Sequence, residues 1–167
     1  MILYLMRHSC AVKGGEDGEY DADRPLTDEG IEKANEVACG LERLLDPMDL
    51  PKAILTSPAK RCYQTGEVIV KHWEIKPVLK ADEHLSEGEG SEGAMHCLFG
   101  QSGVPVMFIM HHPDLVEFLG HLIGGGPKMC VEFKRAAVAK IEFEDEVGGG
   151  KGCLCWLYNP GIIRQFS

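Results

Sequence analysis

The chain has 167 residues, 44% of them hydrophobic, and a formal charge of -9 at pH 7. That much apolar material can close a core without staples, so one domain over residues 1–167 is expected. The acidic balance argues against a nucleic-acid or anionic-membrane surface, and any anion site must be a local basic pocket in an acidic body.

No apolar run approaches the length that crosses a bilayer. The N-terminus has neither the basic flank nor the small-residue cleavage site of a secretory signal, so a cytoplasmic location is expected. Cysteines stand at positions 10, 39, 62, 97, 130, 153 and 155. Their odd number and scatter through apolar segments read as buried, reduced thiols, not as a disulfide framework. Cys153 and Cys155 suit alternating positions on a strand, and with no second pair beside them a zinc site is not expected.

Ile2 to Met6 is an apolar run with a β-branched start and an aromatic, which predicts a strand buried on both faces; it stops at Arg7-His8-Ser9. Ala11 to Arg24, rich in Gly, Asp and Glu, reads as a surface loop long enough to be functional. Thr27 is a good N-cap, with Asp28 and Glu29 in the first turn that follows. Ile31, Ala34, Val37, Ala38, Leu41, Leu44 and Leu45 then recur at helical spacing until Asp46-Pro47. Gly30 and Gly40 weaken this helix but leave its stripe intact.

Ala53 to Ser57 is a second apolar run that ends polar. Ser57-Pro58 reads as a cap followed by proline at the first helical position, and the helix carries Ala59, Cys62, Ile69, Val70 and Trp73. Arg61 falls in its first turn, where positive charge opposes the helix dipole, and a bound anion would account for that placement.

Lys76 to Leu79 predicts a brief strand, residues 82–93 a polar glycine-rich loop, and Ala94 to Phe99 a short helix. Val104 to Met110 is the third buried strand, ending in His111-His112-Pro113. The next helix has Leu115, Phe118, Leu119, Leu122 and Ile123 on one face and stops at Gly124-Gly125-Gly126-Pro127. Strands are predicted over Met129–Phe133, Ala137–Phe143 and Cys153–Tyr158. The last two are joined by an acidic, Gly-rich loop as an antiparallel hairpin at a sheet edge.

Three apolar strands thus end in a basic or capping group: Arg7-His8, then Thr56-Ser57 leading to Arg61, then His111. In an open parallel sheet ligands bind outside the carboxyl ends of the strands, so the three would converge on one crevice. Two imidazoles and two or three guanidiniums there suit a doubly charged oxyanion, most simply phosphate, which arginine grips with a planar fork. A neutral imidazole is a capable nucleophile toward phosphorus, and the surrounding cations would stabilise charge on the equatorial oxygens. The competing chemistry is metal ligation by the histidines. It wants carboxylates or further histidines, and no arginines beside the metal.

These residues fall into motifs of a known family. Leu5-Met6-Arg7-His8 resembles the Arg-His-Gly signature of the histidine phosphatase superfamily, which includes the phosphoglycerate mutases. Arg24-Pro25-Leu26-Thr27-Asp28-Glu29-Gly30 resembles its "RPLTxxG" segment. Ser57 to Thr65 is similar to its "SPxxRxxQT" block, and Met110-His111-His112-Pro113-Asp114-Leu115 to its "GHxPxL" block. The match spans residues 1 to about 125 in the right order. With no cap insertion, the compact chain looks most like the small SixA-type phosphohistidine phosphatases.

The resemblance implies a three-layer α/β/α sandwich with a mostly parallel central sheet and an antiparallel edge. It implies His8 as the nucleophile that becomes phosphorylated, with Arg7, Arg61 and His111 clamping the phosphate and Arg24 as a further contact. No cofactor and no metal are implied. Ser9 and Met110 stand where the family carries glycines, so the Ser9 side chain must fit where backbone often runs close to the phosphate. His112, one place beyond the motif histidine, reads as a surface or supporting residue. His72, His84, His96 and His121 have no motif support and read as structural or solvated.

Family members that cleave alkyl phosphates often use a carboxylate from the loop after the third strand as general acid. Here that loop offers Asp82, Glu83, Glu87 and Glu89, with Glu83 the best placed. The expected function is hydrolysis of phosphohistidine on a protein. The alternatives are a phosphomonoesterase for a small metabolite and a phosphate-binding regulatory module without turnover. The expected partners are therefore a phosphorylated protein or a small phosphate ester, with no nucleic acid and no membrane.

Overall fold

In the computed structural model, residues 1–14, 21–101, 103–124 and 129–167 are described. Six strands form one sheet: β1 (Ile2–Arg7), β2 (Ala53–Thr56), β3 (Val78–Ala81), β4 (Val106–Met110), β5 (Val138–Glu142) and β6 (Cys153–Tyr158). Their spatial order is β3-β2-β4-β1-β5-β6. The first four run parallel, while β5 is antiparallel to β1 and β6 antiparallel to β5.

Helices α1 (Asp28–Leu44), α2 (Lys60–His72) and α5 (Pro160–Ile163) cover one face, and α3 (Gly90–Phe99) and α4 (Asp114–Ile123) the other. Side chains alternate across a strand, so β1 sends Leu3 and Leu5 into one core and Tyr4 and Met6 into the other. β4 splits the same way, with Val106, Phe108 and Met110 against α3 and α4, and Met107 and Ile109 against α1 and α2. Each such fully buried apolar side chain contributes on the order of 1.5–3 kcal/mol. Covering both faces is why these strands read as continuous apolar runs.

Several expectations are corrected. No strand forms over Met129–Phe133, because the edge of β1 is taken directly by β5; Phe133 is buried instead, and its carbonyl accepts from Arg7. β3 lies two residues later than expected, and α3 begins at Gly90 inside the expected loop. Pro58 is not the first helical residue: Ala59 has ψ 132°, and α2 starts at Lys60. The Ser57 hydroxyl is drawn to His111 at 2.7 Å and accepts from Ala59 N–H at 3.3 Å. The short α5 had no helical stripe to announce it.

The cysteines are free, but Cys130, outside any strand or helix, is exposed, and so are Cys153 and Cys155, because one face of the edge strand β6 is uncovered. Gly124 closes α4 in the left-handed region at φ 78°, where glycine carries no steric cost. Residues 125–127 of that stop signal, and residues 15–20 of the expected loop over Ala11–Arg24, lie outside the described residues.

Candidate active site

β1, β2 and β4 are adjacent and parallel, so their carboxyl ends open side by side. Backbone pairing continues one residue past each strand: His8 N–H donates to Met110 O at 3.2 Å, and Ser57 N–H to Ile109 O at 3.1 Å. This fixes where Arg7, His8, Ser57 and His111 emerge. Arg7, His8 and His111 border a cavity of about 120 Å³, lined also by Ala11, Arg24, Arg61, Glu87, His112 and Arg135.

His8 is 8% exposed, and its Nδ1 lies 2.7 Å from the Ser9 carbonyl. A carbonyl only accepts, so Nδ1 carries the proton and Nε2 keeps its lone pair. His111, with its ring centroid 5.5 Å from that of His8, meets Arg61 through Nδ1 at 3.1 Å and Ser57 Oγ through Nε2 at 2.7 Å. Because the guanidinium only donates, Nδ1 accepts and Nε2–H donates to the serine.

Arg61 is 2% exposed. It donates to the Asp21 carbonyl at 2.6 Å, pairs with the Asp21 carboxylate at 2.9 Å, and pairs with Glu87 at 2.9 Å. Two carboxylates thus hold the first-turn cation for which the sequence suggested a bound anion. Arg7 donates to Phe133 O at 2.8 Å. The Nε–H groups of Arg7 and of Arg61 are buried with no partner. Buried donors without acceptors are rare and costly, so two of them on guanidiniums beside one cavity point to an anion that completes them.

One family model matches residues 3–92, that of the histidine phosphatase superfamily (branch 1). The chain belongs to that superfamily. The matched stretch holds Arg7, His8, Arg24 and Arg61, and stops short of His111. No curated protein sequence matches the chain.

Solved structures share the fold of this chain over nearly its whole length. The protein histidine phosphatase SixA complexed with tungstate is 23% identical, with a TM-score of 0.80, covering 98% of this chain and 99% of that one. A phosphohistidine phosphatase SixA from Agrobacterium tumefaciens is 24% identical, with a TM-score of 0.76 over 95% and 97% of the two chains. An alpha-ribazole-5'-P phosphatase from Escherichia coli is 16% identical, with a TM-score of 0.71 over 96% and 98%. At these identities the likeness is one of fold.

Electrostatics keep the His8 and His111 imidazoles neutral. Burial pushes the His8 pKa down to about 4; the Ser9 carbonyl opposes the shift, and the charges of Arg61, Arg7 and Arg135 add to it. Burial, with Arg61 and His8 next in weight, takes His111 to about 3. Burial pushes the Asp21 carboxyl up, but bonds and charges from Arg24 and Arg61 outweigh it and leave the pKa below the ordinary value.

Of the residues singled out in the sequence, Arg7, His8, Arg24, Arg61 and His111 come together at the cavity. Arg24 donates to Val12 O at 3.1 Å and pairs with Asp21 at 2.5 Å. Ser9 does not line it. Its hydroxyl donates to Gly30 O at 2.7 Å and its N–H to Thr65 Oγ1 at 3.1 Å, so it ties β1 to α1 and α2. Gly30 is obligatory there, since a Cβ would stand 2.0 Å from Cys10 O. Nor does Glu83 line the cavity: its carboxylate accepts from Ser86 Oγ at 3.3 Å, and the acid that does reach the cavity is Glu87. The N–H of Gly88, next in the chain, is anchored by Asp114 Oδ2 at 2.8 Å.

Sequence reasoning missed Arg135. It sits in the turn before β5, which enters the sheet beside the point where antiparallel β1 leaves it. Ala136 holds that turn at φ 64°, strained for a residue with a Cβ, and its N–H donates to the carbonyls of Arg7 and His8 at 3.0 and 3.2 Å. An arginine just ahead of a strand antiparallel to the Arg-His strand was the available signal, but the pairing partner of that strand was not legible.

Proposed function

We propose that this chain is a metal-independent phosphatase that hydrolyses phosphohistidine on a protein through a phosphorylated His8. The lone pair on His8 Nε2 attacks phosphorus in line. Arg7, Arg61, Arg24 and Arg135 hold the equatorial oxygens, completing the two orphaned Nε–H donors. As a phosphoryl oxygen takes over Arg61, Glu87 and Asp21 are released to solvent, and His111, in its other tautomer, donates Nδ1–H to the phosphate while Nε2 accepts from the Ser57 hydroxyl. The other nitrogen of the substrate's ring takes a proton from water, the P–N bond breaks, and its electron pair leaves with neutral imidazole. In the second half-reaction water attacks the phosphoryl group on His8. Its oxygen bonds to phosphorus, the P–N bond returns its pair to Nε2, and the water's protons pass to phosphate and solvent.

The observation that carries the choice of substrate is that, among the described residues, the carboxylate lining the cavity is held in an ion pair. His8 and His111 are neutral at pH 7, and the lining carboxylate, Glu87, is ion-paired with Arg61. An alkoxide leaving group wants a positioned acid, whereas imidazole, with an ordinary pKa of about 6.5, does not. The solved SixA proteins, one of them with tungstate bound, support the same reading.

A second reading, a phosphomonoesterase for a small metabolite, draws on Glu87 itself: once a phosphate displaces it from Arg61, that carboxyl sits where a leaving oxygen would need protonating. Turnover of phosphohistidine or phosphoramidate against alkyl and aryl phosphates separates the two. The proposal expects fast P–N hydrolysis, slow alkyl ester cleavage and aryl esters between. An alkyl phosphate as the best substrate, with its cleavage lost in Glu87→Gln or Glu83→Gln, would make the metabolite phosphatase the better reading.

A further inference from the structure

At the carboxyl end of β3, away from the catalytic cavity, the fold gathers a second chemically capable cluster. Asp82 follows β3, His84 sits in the 3-10 turn Glu83–Leu85, and His96 and Cys97 lie on α3. One ligand atom from each of Asp82, His84 and Cys97 lies within 4.8 Å of the other two. The His96 ring packs edge-on to that of His84, with centroids 4.2 Å apart. All four border one depression at the sheet edge, together with the exposed Lys80 and no guanidinium. None of the four lines the crevice around His8.

We propose that Asp82, His84 and Cys97, with His96 or water in the fourth position, form a binding site for a borderline divalent metal of the zinc or cobalt(II) type. A carboxylate oxygen, an imidazole nitrogen and a thiolate sulfur are the donors zinc takes in tetrahedral sites. A hard cation such as magnesium or calcium wants oxygens alone, and the buried thiol at Cys97 selects against it. Zinc bonds of about 2.0–2.3 Å put tetrahedral ligand atoms about 3.3–3.8 Å apart, so side-chain adjustments of about 1 Å close the site.

The anchoring of the ligands is already in place. The Asp82 carboxylate accepts from the His84 backbone N–H at 3.1 Å and lies 2.9 Å from His84 Nδ1, so the two ligand atoms already stand side by side. Asp82 N–H donates to Thr56 O at 2.9 Å, tying the ligand to β2. Gly93, one turn before Cys97, lets α3 approach this turn closely: a Cβ there would stand 2.3 Å from His84 O. Coordination displaces the Cys97 thiol proton to solvent and leaves a metal-bound thiolate. The metal joins the β3 end to α3 and lies outside the phosphoryl-transfer chemistry.

Cobalt(II) titration of the purified, metal-stripped full chain tests this directly. One equivalent should produce a saturable sulfur-to-cobalt charge-transfer band and intense tetrahedral d–d bands, both erased by stoichiometric zinc. Cys97→Ser should abolish the charge-transfer band, and the exposed His84→Ala should weaken cobalt affinity by at least about tenfold. The paired variant Cys153→Ser with Cys155→Ser, on the exposed face of β6, should leave the band unchanged. No charge-transfer band, or a band that survives Cys97→Ser, overturns the proposal. So does cobalt affinity unaltered by His84→Ala, a variant at a surface position that the fold tolerates.

Discussion

Two clusters of histidine and carboxylate sit at the carboxyl ends of neighbouring strands of one sheet, and they are built for opposite charges. Around His8 and His111, carboxylates are outnumbered by guanidiniums: Arg7, Arg24, Arg61 and Arg135 border the cavity, and Glu87 is spent on Arg61. Around His84 and His96 there is no guanidinium, and the Asp82 carboxylate bonds to an imidazole instead. The lesson is that imidazole is neutral in its preferences. The same ring serves phosphoryl transfer or metal ligation according to whether arginine or a carboxylate and thiol stand beside it.

The comparison breaks most severely at His8. His8→Ala should abolish turnover, since no other group at the crevice offers an in-line nucleophile. Acid-labile, base-stable phosphate should be trapped on the unaltered protein by rapid quench and map to His8. A fully active His8→Ala protein, or label on another residue, would overturn the reading of His8 as nucleophile.

Next come the arginines. Arg7→Ala and Arg61→Ala should each remove about 2–4 kcal/mol of transition-state stabilisation, read as kcat/KM, as loss of a preorganised donor to the oxyanion does. Folding should hold, because Asp21 and Glu87 are about half exposed and return to water when Arg61 is gone. Melting curves taken beside the kinetics check this. Unfolded variants with a fully active folded remainder would make these structural arginines.

The pH response is smaller and sharpens the electrostatic half of the contrast. His8 and His111 have folded pKa values of about 4 and about 3, below the ordinary 6.5. Between those limits the unfolded chain binds protons that the native one does not, so stability is lost as pH falls from about 6.5 toward 4 and is fully present above it. Thermal melts from pH 8 to 4 should show that decline, and it should lessen in His8→Ala. Free-enzyme kcat/KM should lose its nucleophile only near pH 4. An acid limb near 6.5 on a substrate that does not itself titrate there would mean that His8 is solvated.

The smallest effects come from groups outside the cavity. Glu83→Gln should change phosphohistidine hydrolysis far less than the 10²–10⁴-fold expected for loss of a general acid. Chelator should leave the rate on phosphohistidine unaltered while stripping cobalt from the Asp82 cluster. A large loss with either would place an acid or a metal in the reaction itself.

Much of this was readable from the chain alone. Continuous apolar runs betray strands covered on both faces, so β1, β2 and β4 were visible, and their shared polar endings put Arg7, His8, Arg61 and His111 at one place. Thr27 announced α1 through its hydroxyl, which accepts from Gly30 N–H at 3.0 Å. What the sequence determined was periodicity and local capping, because these depend on neighbours along the chain. What only tertiary structure decided was pairing between distant groups. β5 took the edge of β1 and left residues 129–133 out of the sheet. That choice brought Arg135 to the crevice. Ser9 turned to Gly30, Glu87 rather than Glu83 reached Arg61, and His84, which carried no motif, met His96 and Cys97. Such contacts follow from how strands and helices dock in three dimensions, and nothing local to residue 135 or residue 84 encodes which neighbour it will find.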